Sequence, residues 1–302
     1  MLQRFYEANR DLLVNINGRF VHRDEAGISP FDSAVQNGDA VWEGLRLYNG
    51  RIFKLREHLA RLQNGARALA YQGVPTSDEI VEQLRRTLTA NGMRDSVHIR
   101  LTLSRGVKYT SGMDPRLNNS GTTLIILAEH KPPVYARGGI RLITSAIRRI
   151  PPECLDQKIH SCNMLNSILA KIQANSAGVD DAVMLDLNGF VAETNATHLF
   201  LVSDSALATP HTHACPEGIT RATVLDLCRE HGIRTAVRNI SLPELYSADE
   251  LFCTGTLGEL SPVIELDGRV IGQGESGPVS RRLSQLYADL TASSGFPILQ
   301  SS

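Results

Sequence analysis

Two Asn-Gly pairs set the first constraint on the fold. Asn17-Gly18 and Asn49-Gly50 each sit between short strand-like runs. Such a pair supplies the consecutive positive-φ residues of a tight hairpin turn, so residues 11 to 54 are expected to form antiparallel strands. The period then changes. Leu55, Leu59, Leu62, Ala66 and Leu69 recur at spacings of three and four, which predicts an amphipathic helix over 55–71. A second helix is expected from a Ser77 cap, with Ile80, Val81, Leu84 and Leu88 facing inward, followed by strands over 97–103 and 122–128.

At 302 residues the chain exceeds what one core of ~250–300 residues usually supports, so two domains are expected. Residues 131–139, Lys-Pro-Pro-Val-Tyr-Ala-Arg-Gly-Gly, are rich in breakers of helix and strand and read as the linker. The division is then a small α/β domain over 1–130 and a larger domain over 140–302. The second half is expected to hold a strand at 140–146 and a helix at 163–177 with Leu165, Ile168, Leu169 and Ile172 on its apolar face. A hairpin around Asn188-Gly189, strands near 198–203 and 206–209, a helix at 219–231, a strand at 249–254 and a last helix at 277–290 follow.

The net charge of −1 gives no reason to expect a nucleic acid or an anionic membrane as partner. Cys154, Cys162, Cys215, Cys228 and Cys253 form no C-x-x-C pair, so neither a disulfide framework nor a metal site is expected, and a cytoplasmic compartment follows. The N-terminus has no apolar run of the signal-peptide kind, and no stretch approaches the ~18 apolar residues of a membrane span.

The chemistry lies in four segments taken in order. Lys158 stands in an irregular stretch, Leu-Asp-Gln-Lys-Ile-His-Ser-Cys-Asn, and the chain has only four other lysines: Lys54, Lys108, Lys131 and Lys171, the last expected to face solvent. Glu193 ends an apolar run. Gly218-Ile219-Thr220-Arg221 opens a helix, where free N–H groups and a hydroxyl make an anion site. Thr254-Gly255-Thr256 follows an apolar strand end, a common place for a ligand-binding turn. Each segment alone reads at least as well as a surface lysine, a strand-end acid, a helix cap or a turn. Together they supply an amine, a carboxylate and two phosphate cradles, which are the parts a pyridoxal-phosphate site requires.

From about Asn15 to about Val263 the chain resembles the fold-type IV pyridoxal-phosphate aminotransferases, the family of branched-chain and D-amino acid aminotransferases. Val41-Trp42-Glu43-Gly44-Leu45-Arg46 and Leu55-Arg56-Glu57-His58-Leu59 resemble its small-domain motifs, and the Glu193, Gly-Ile-Thr-Arg and Gly-Thr segments its cofactor motifs. The resemblance implies a mixed α/β (α+β) fold with a small N-terminal domain and a larger C-terminal pseudo-barrel. It implies Lys158 as the Schiff-base and proton-transfer lysine and Glu193 as partner of the pyridine nitrogen. Arg56, Ile219, Thr220 and Thr256 would bind the cofactor. Trp42, Arg100, Thr256 and Leu257 would meet the substrate, and a homodimer is implied.

Three places depart from the family pattern. Met164 falls where a tyrosine commonly bonds the cofactor's phenolic oxygen, leaving His160 and Asn163 as candidates. His198 stands where asparagine is usual, and Gln36-Asn37-Gly38 replaces an aromatic-containing turn. The expected activity is ping-pong transfer of an amino group from an aliphatic, branched-chain L-amino acid to 2-oxoglutarate. A D-amino acid or (R)-amine transaminase and an aminodeoxychorismate lyase are the alternatives on the same fold.

Overall fold

A computed structural model describes residues 5–132 and 138–299. These divide into two compact units. One holds 5–132 together with 159–163 and 291–299; the other holds 138–158 and 164–290. Two short segments from beyond the expected linker thus fold into the first unit. Residues 133–137 of that linker lie outside the described residues.

The first unit is built on a seven-stranded antiparallel sheet. Its order is Phe296–Pro297, Arg51–Ile52, Ala40–Tyr48, Val97–Ser104, Thr123–His130, Leu13–Ile16 and Arg19–His22. Both expected hairpins are present, with φ of 51° and 82° at Asn17-Gly18 and 49° and 75° at Asn49-Gly50. The helices Leu55–Ala68 and Ser77–Ala90 bury Leu59, Leu62, Leu84 and Leu88 in one core with Leu45 and Ile99 of the sheet. The second helix is capped by Thr76, one residue before the expected Ser77. The Thr76 hydroxyl accepts the Glu79 N–H at 3.3 Å and the Glu79 carboxylate accepts the Thr76 N–H at 2.7 Å, a reciprocal capping box.

The second unit carries a nine-stranded mixed sheet. Its path runs Thr235–Val237, Ala206–Thr209, His198–Ser203, Glu250–Gly255, Glu259–Leu266, Ile140–Thr144, Asp181–Leu185 and Val191–Thr194, with Arg269–Val270 paired to Glu259–Leu266 beside it. Ile140–Thr144 lies parallel to both of its neighbours. Every residue of Asp181–Leu185 is buried, as a strand covered on both faces requires. The helices Ile219–Glu230 and Pro278–Ser293 match the expected ones within a few residues.

One expectation is reversed. The helix Leu165–Ser176 buries Ser167, Ala170 and Ala174, and the two alanines pack on Ala182 and Met184. Leu165, Ile168, Leu169 and Ile172, expected to face the core, are 49–74% exposed. Small side chains let the helix lie close to the sheet, and the large ones are left on the outer face. Lys171 also differs: it is half-buried, and its amine reaches the Asp180 carbonyl and the Asp181 carboxylate rather than solvent.

Candidate active site

In the second unit Glu193 sits on Val191–Thr194 with its carboxylate almost wholly buried. Arg149 reaches Glu193 Oε1 at 2.7 Å. Arg149 is itself buried and donates to the Ala214 carbonyl, to Ser167 Oγ at 2.9 Å and to Gln157 Oε1 at 3.3 Å. Burial pushes the Glu193 carboxyl up to about 7, with the Arg149 guanidinium opposing the rise. This is an acid whose proton is available near neutrality, which suits a partner that shares a proton.

Sequence reasoning missed Arg149. Its only signal is a buried-acid argument run backwards: a carboxylate at Glu193, if buried, needs a cation, and Arg148-Arg149 offers one.

His198 begins the next strand after Glu193. Its Nδ1 lies 3.9 Å from Glu193 Oε2 and 4.0 Å from Cys215 Sγ. Ligand atoms of Glu193, His198 and Cys215 lie within 4.8 Å of one another, close enough to hold a cation. Two facts oppose a metal. Arg149 already occupies Glu193, and burial beside that carboxylate pushes the Cys215 thiol far above its ordinary value, away from the thiolate a metal binds. The ring of His198 fixes another residue instead. A Cβ on Gly218 would come 2.2 Å from His198 Cδ2, so any larger residue there would have to displace the ring.

Gly218 is the N-terminal cap residue of the helix Ile219–Glu230, which opens where the sequence placed it; no side chain caps this start. The first-turn N–H groups and the buried Thr220 are thus set at the positive end of a twelve-residue helix. Arg221 is turned away, donating to the Pro210 carbonyl at 2.9 Å and to Thr209 Oγ1 at 3.2 Å. Thr256 and Leu257 lie half-buried in the turn between Glu250–Gly255 and Glu259–Leu266. Just before that turn, the buried Thr254 hydroxyl has no hydrogen-bond partner among the described residues.

Lys158 is exposed, in the short 3-10 helix Gln157–Ile159, with its backbone N–H fixed on Asp156 Oδ1 at 2.9 Å. Lys54 pairs with Glu57, Lys108 with Asn37 and the Gly112 carbonyl, Lys131 with Glu129, and Lys171 with Asp181. Among the described residues only the Lys158 amine is left without such a partner.

The first unit holds the other expected residues. Arg56 is exposed in the first turn of Leu55–Ala68. Trp42 is half-buried; the Arg100 guanidinium lies 3.6 Å from its ring centre and the His160 ring stacks on it at 4.5 Å. Arg100 Nη2 also reaches Cys162 Sγ at 3.8 Å. The two groups considered for the phenolic oxygen are already engaged. His160 Nδ1 is 2.5 Å from the Trp42 carbonyl, and Asn163 Nδ2 donates to the Gly38 carbonyl at 3.1 Å.

The profile of the amino-transferase class IV family matches residues 40–266, a span that includes Trp42, Lys158, Glu193, Gly218 and Thr256. The chain belongs to this family. It is 56% identical over 291 residues to the branched-chain-amino-acid aminotransferase-like protein 2 of Arabidopsis thaliana, matching 96% of this chain and 52% of that one. It therefore spans about half the length of that plant relative. A putative branched-chain-amino-acid aminotransferase of Methanocaldococcus jannaschii is 40% identical over 286 residues, covering 94% of this chain and 98% of the other. Two solved structures share the fold. The branched-chain amino acid aminotransferase from Escherichia coli aligns with a TM-score of 0.84 at 30% identity, over 93% of this chain and 94% of that one. A second branched-chain amino acid aminotransferase, from T.th., is complexed with N-(5'-phosphopyridoxyl)-L-glutamate. It aligns with a TM-score of 0.86 at 34% identity, over 93% of this chain and 94% of the other. For this class IV chain the mixed α/β architecture is common ground between sequence, structure and relatives.

Proposed function

We propose that the chain is a pyridoxal-phosphate aminotransferase acting on aliphatic, branched-chain L-amino acids with 2-oxoglutarate as acceptor. The observation that carries this reading is the environment of Glu193: a buried carboxyl raised to about 7 and steered by one arginine. The other residues fit the same cofactor. A helix start without a side-chain cap, a glycine cap residue packed against the His198 ring, and an orphaned buried hydroxyl at Thr254 are what an anionic, hydroxyl-seeking ligand uses.

When bound, pyridoxal phosphate supplies an electron-accepting ring and a carbonyl carbon that condenses with amines. Lys158 Nζ would hold it and would serve as general base and general acid for the substrate's α-proton. Glu193 keeps the pyridine nitrogen protonated. In the second unit the N–H groups of Ile219 and Thr220, with Thr256, would bind the phosphate, and Thr256 and Leu257 would orient the substrate carboxylate. In the first unit the family resemblance assigns a cofactor role to Arg56 and a substrate role to Trp42 and Arg100. The relatives named as branched-chain aminotransferases support the choice of donor.

The active form is a homodimer in a reducing, cytoplasmic compartment. The exposed Leu165, Ile168, Leu169 and Ile172 stripe supports the first statement and five free cysteines the second. Among the described residues no helix is long and apolar enough to cross a membrane.

The test supplies purified protein with pyridoxal phosphate and 2-oxoglutarate and follows glutamate. L-leucine should yield glutamate and D-alanine should not. Glutamate from D-alanine or an (R)-amine alone moves the assignment to those enzymes. Pyruvate released from aminodeoxychorismate with no keto acid added identifies a lyase.

A further inference from the structure

The chain just after Lys158 is held by more polar contacts than its length leads one to expect. Residues 159–163 pair with the strand Ala40–Tyr48. The Trp42 N–H donates to the His160 carbonyl at 3.2 Å and the Cys162 N–H to the Ala40 carbonyl at 2.8 Å, and Val41 and Ser161 form an antiparallel bridge. Trp42 Nε1 adds a bond to the Ser161 carbonyl at 3.2 Å. On the helix side, Gly65 lies so close that a Cβ there would sit 2.4 Å from the Ile159 carbonyl oxygen.

His160 is the pin of this segment. Its Nδ1 faces two acceptors, the Trp42 carbonyl at 2.5 Å and Glu43 Oε1 at 3.3 Å. An acceptor on each contact requires the proton on Nδ1, which fixes the tautomer. Glu43 is fully buried and is held in turn by the Arg61 fork, Nε on Oε1 and Nη2 on Oε2, both at 2.7 Å, and by His58 Nδ1 at 2.6 Å. His58, Arg61 and Gly65 all lie on Leu55–Ala68, the helix that carries Arg56. His160 also has φ of 54°, a left-handed conformation that few side chains other than asparagine, aspartate and histidine adopt readily.

We propose that His160 is a positioning residue for Lys158: its Nδ1–H, held between the Trp42 carbonyl and Glu43, fixes the backbone two residues after the lysine and so sets where the lysine amine reaches. The proposal rests on the reading of Lys158 as the cofactor lysine.

The test has two arms that fail separately. In the first, amide hydrogen exchange is measured on cofactor-free wild type and on His160→Ala, His160→Asn and His160→Gln. Asparagine places an N–H where Nδ1 stands and tolerates the left-handed backbone; glutamine places its amide one atom further out. Loss of a bond to a charged group predicts exchange at Trp42 and Cys162 faster by on the order of tenfold in His160→Ala and His160→Gln. Exchange in the core strand Val97–Ser104 should be unchanged, and His160→Asn should restore the wild-type rate. In the second arm the rate of covalent cofactor capture is read from the visible absorption band. It should fall in the alanine and glutamine variants and recover in asparagine. Unchanged local exchange in His160→Ala would overturn the anchor, and faster exchange with unchanged capture would overturn its link to Lys158. A wild type that captures no cofactor would refute the reading of Lys158 and the link that depends on it, while the exchange arm still decides the anchor.

Discussion

Glu43 and Glu193 are both glutamates on buried strands, one in each unit, and their surroundings drive them in opposite directions. Glu43 has both oxygens taken, by the Arg61 fork, His58 and His160, and its carboxyl is held well below the ordinary range although burial works against ionisation. Glu193 has one close cation, Arg149, with His198 standing 3.9 Å off, and burial raises it to about 7. The difference separates an acid whose oxygens are all engaged from one suited to the role proposed for Glu193. A carboxylate whose lone pairs are all occupied stays ionised well below the ordinary carboxylate range. One with a free oxygen and a proton available near neutrality can take part in chemistry.

If that contrast is right, substitutions at the two sites should separate stability from rate. The largest effect on folding is expected from Glu43→Ala, which leaves the Arg61 guanidinium and the buried His58 and His160 ring N–H groups without their acceptor and should cost about 3–5 kcal/mol by chemical denaturation. A loss below about 1 kcal/mol, the worth of an exposed pair, would break the comparison on its structural side. Glu193→Gln should instead lower the turnover of L-leucine by on the order of 10²-fold, the range of proton-transfer contributions, with a smaller loss of stability than at Glu43. A rate close to that of wild type would remove Glu193 from the chemistry.

The pH dependence sharpens the same contrast. Glu43 is depressed, so its contribution is present above the ordinary carboxylate value and is lost as pH falls through its lower folded value. Glu193 is raised, so the unfolded chain ionises first, and its effect is to remove stability as pH rises from 4.5 to about 7. In cofactor-free protein the melting advantage of wild type over Glu43→Gln should shrink below the ordinary carboxylate pKa. Relative to Glu193→Gln, wild type should lose ground as pH rises from 4.5 to about 7. Parallel curves for the three proteins would show that the two acids titrate alike. The smallest effect on fold is expected at the outer face of Leu165–Ser176, where, on the proposed homodimer, Leu169→Glu should halve the mass in light scattering and leave the far-ultraviolet spectrum unchanged.

Much of this was legible in the sequence because it depends on local chemistry. The two Asn-Gly hairpins, the helices after Lys54 and Thr76, and the helix that opens after Gly218 follow from turn residues and apolar spacing. What was not legible depends on which way a face turns. The spacing of Leu165, Ile168, Leu169 and Ile172 marks an apolar stripe, but only the close packing of Ala170 and Ala174 on Ala182 and Met184 decides that the stripe faces out. The strand Glu259–Leu266 was hidden by Pro262, a residue that argues against a strand interior. Arg149 was hidden because nothing local distinguishes a buried arginine from a surface one, and the anchoring of residues 159–163 arises from pairing with a strand far away in the chain.

The most direct test is chemical trapping. The protein is incubated with pyridoxal phosphate, reduced with borohydride, digested and mapped by mass spectrometry. The account predicts one cofactor-modified peptide, carrying the label on Lys158 and absent from Lys158→Ala. A label on Lys54, Lys108, Lys131 or Lys171, or no label, would contradict it.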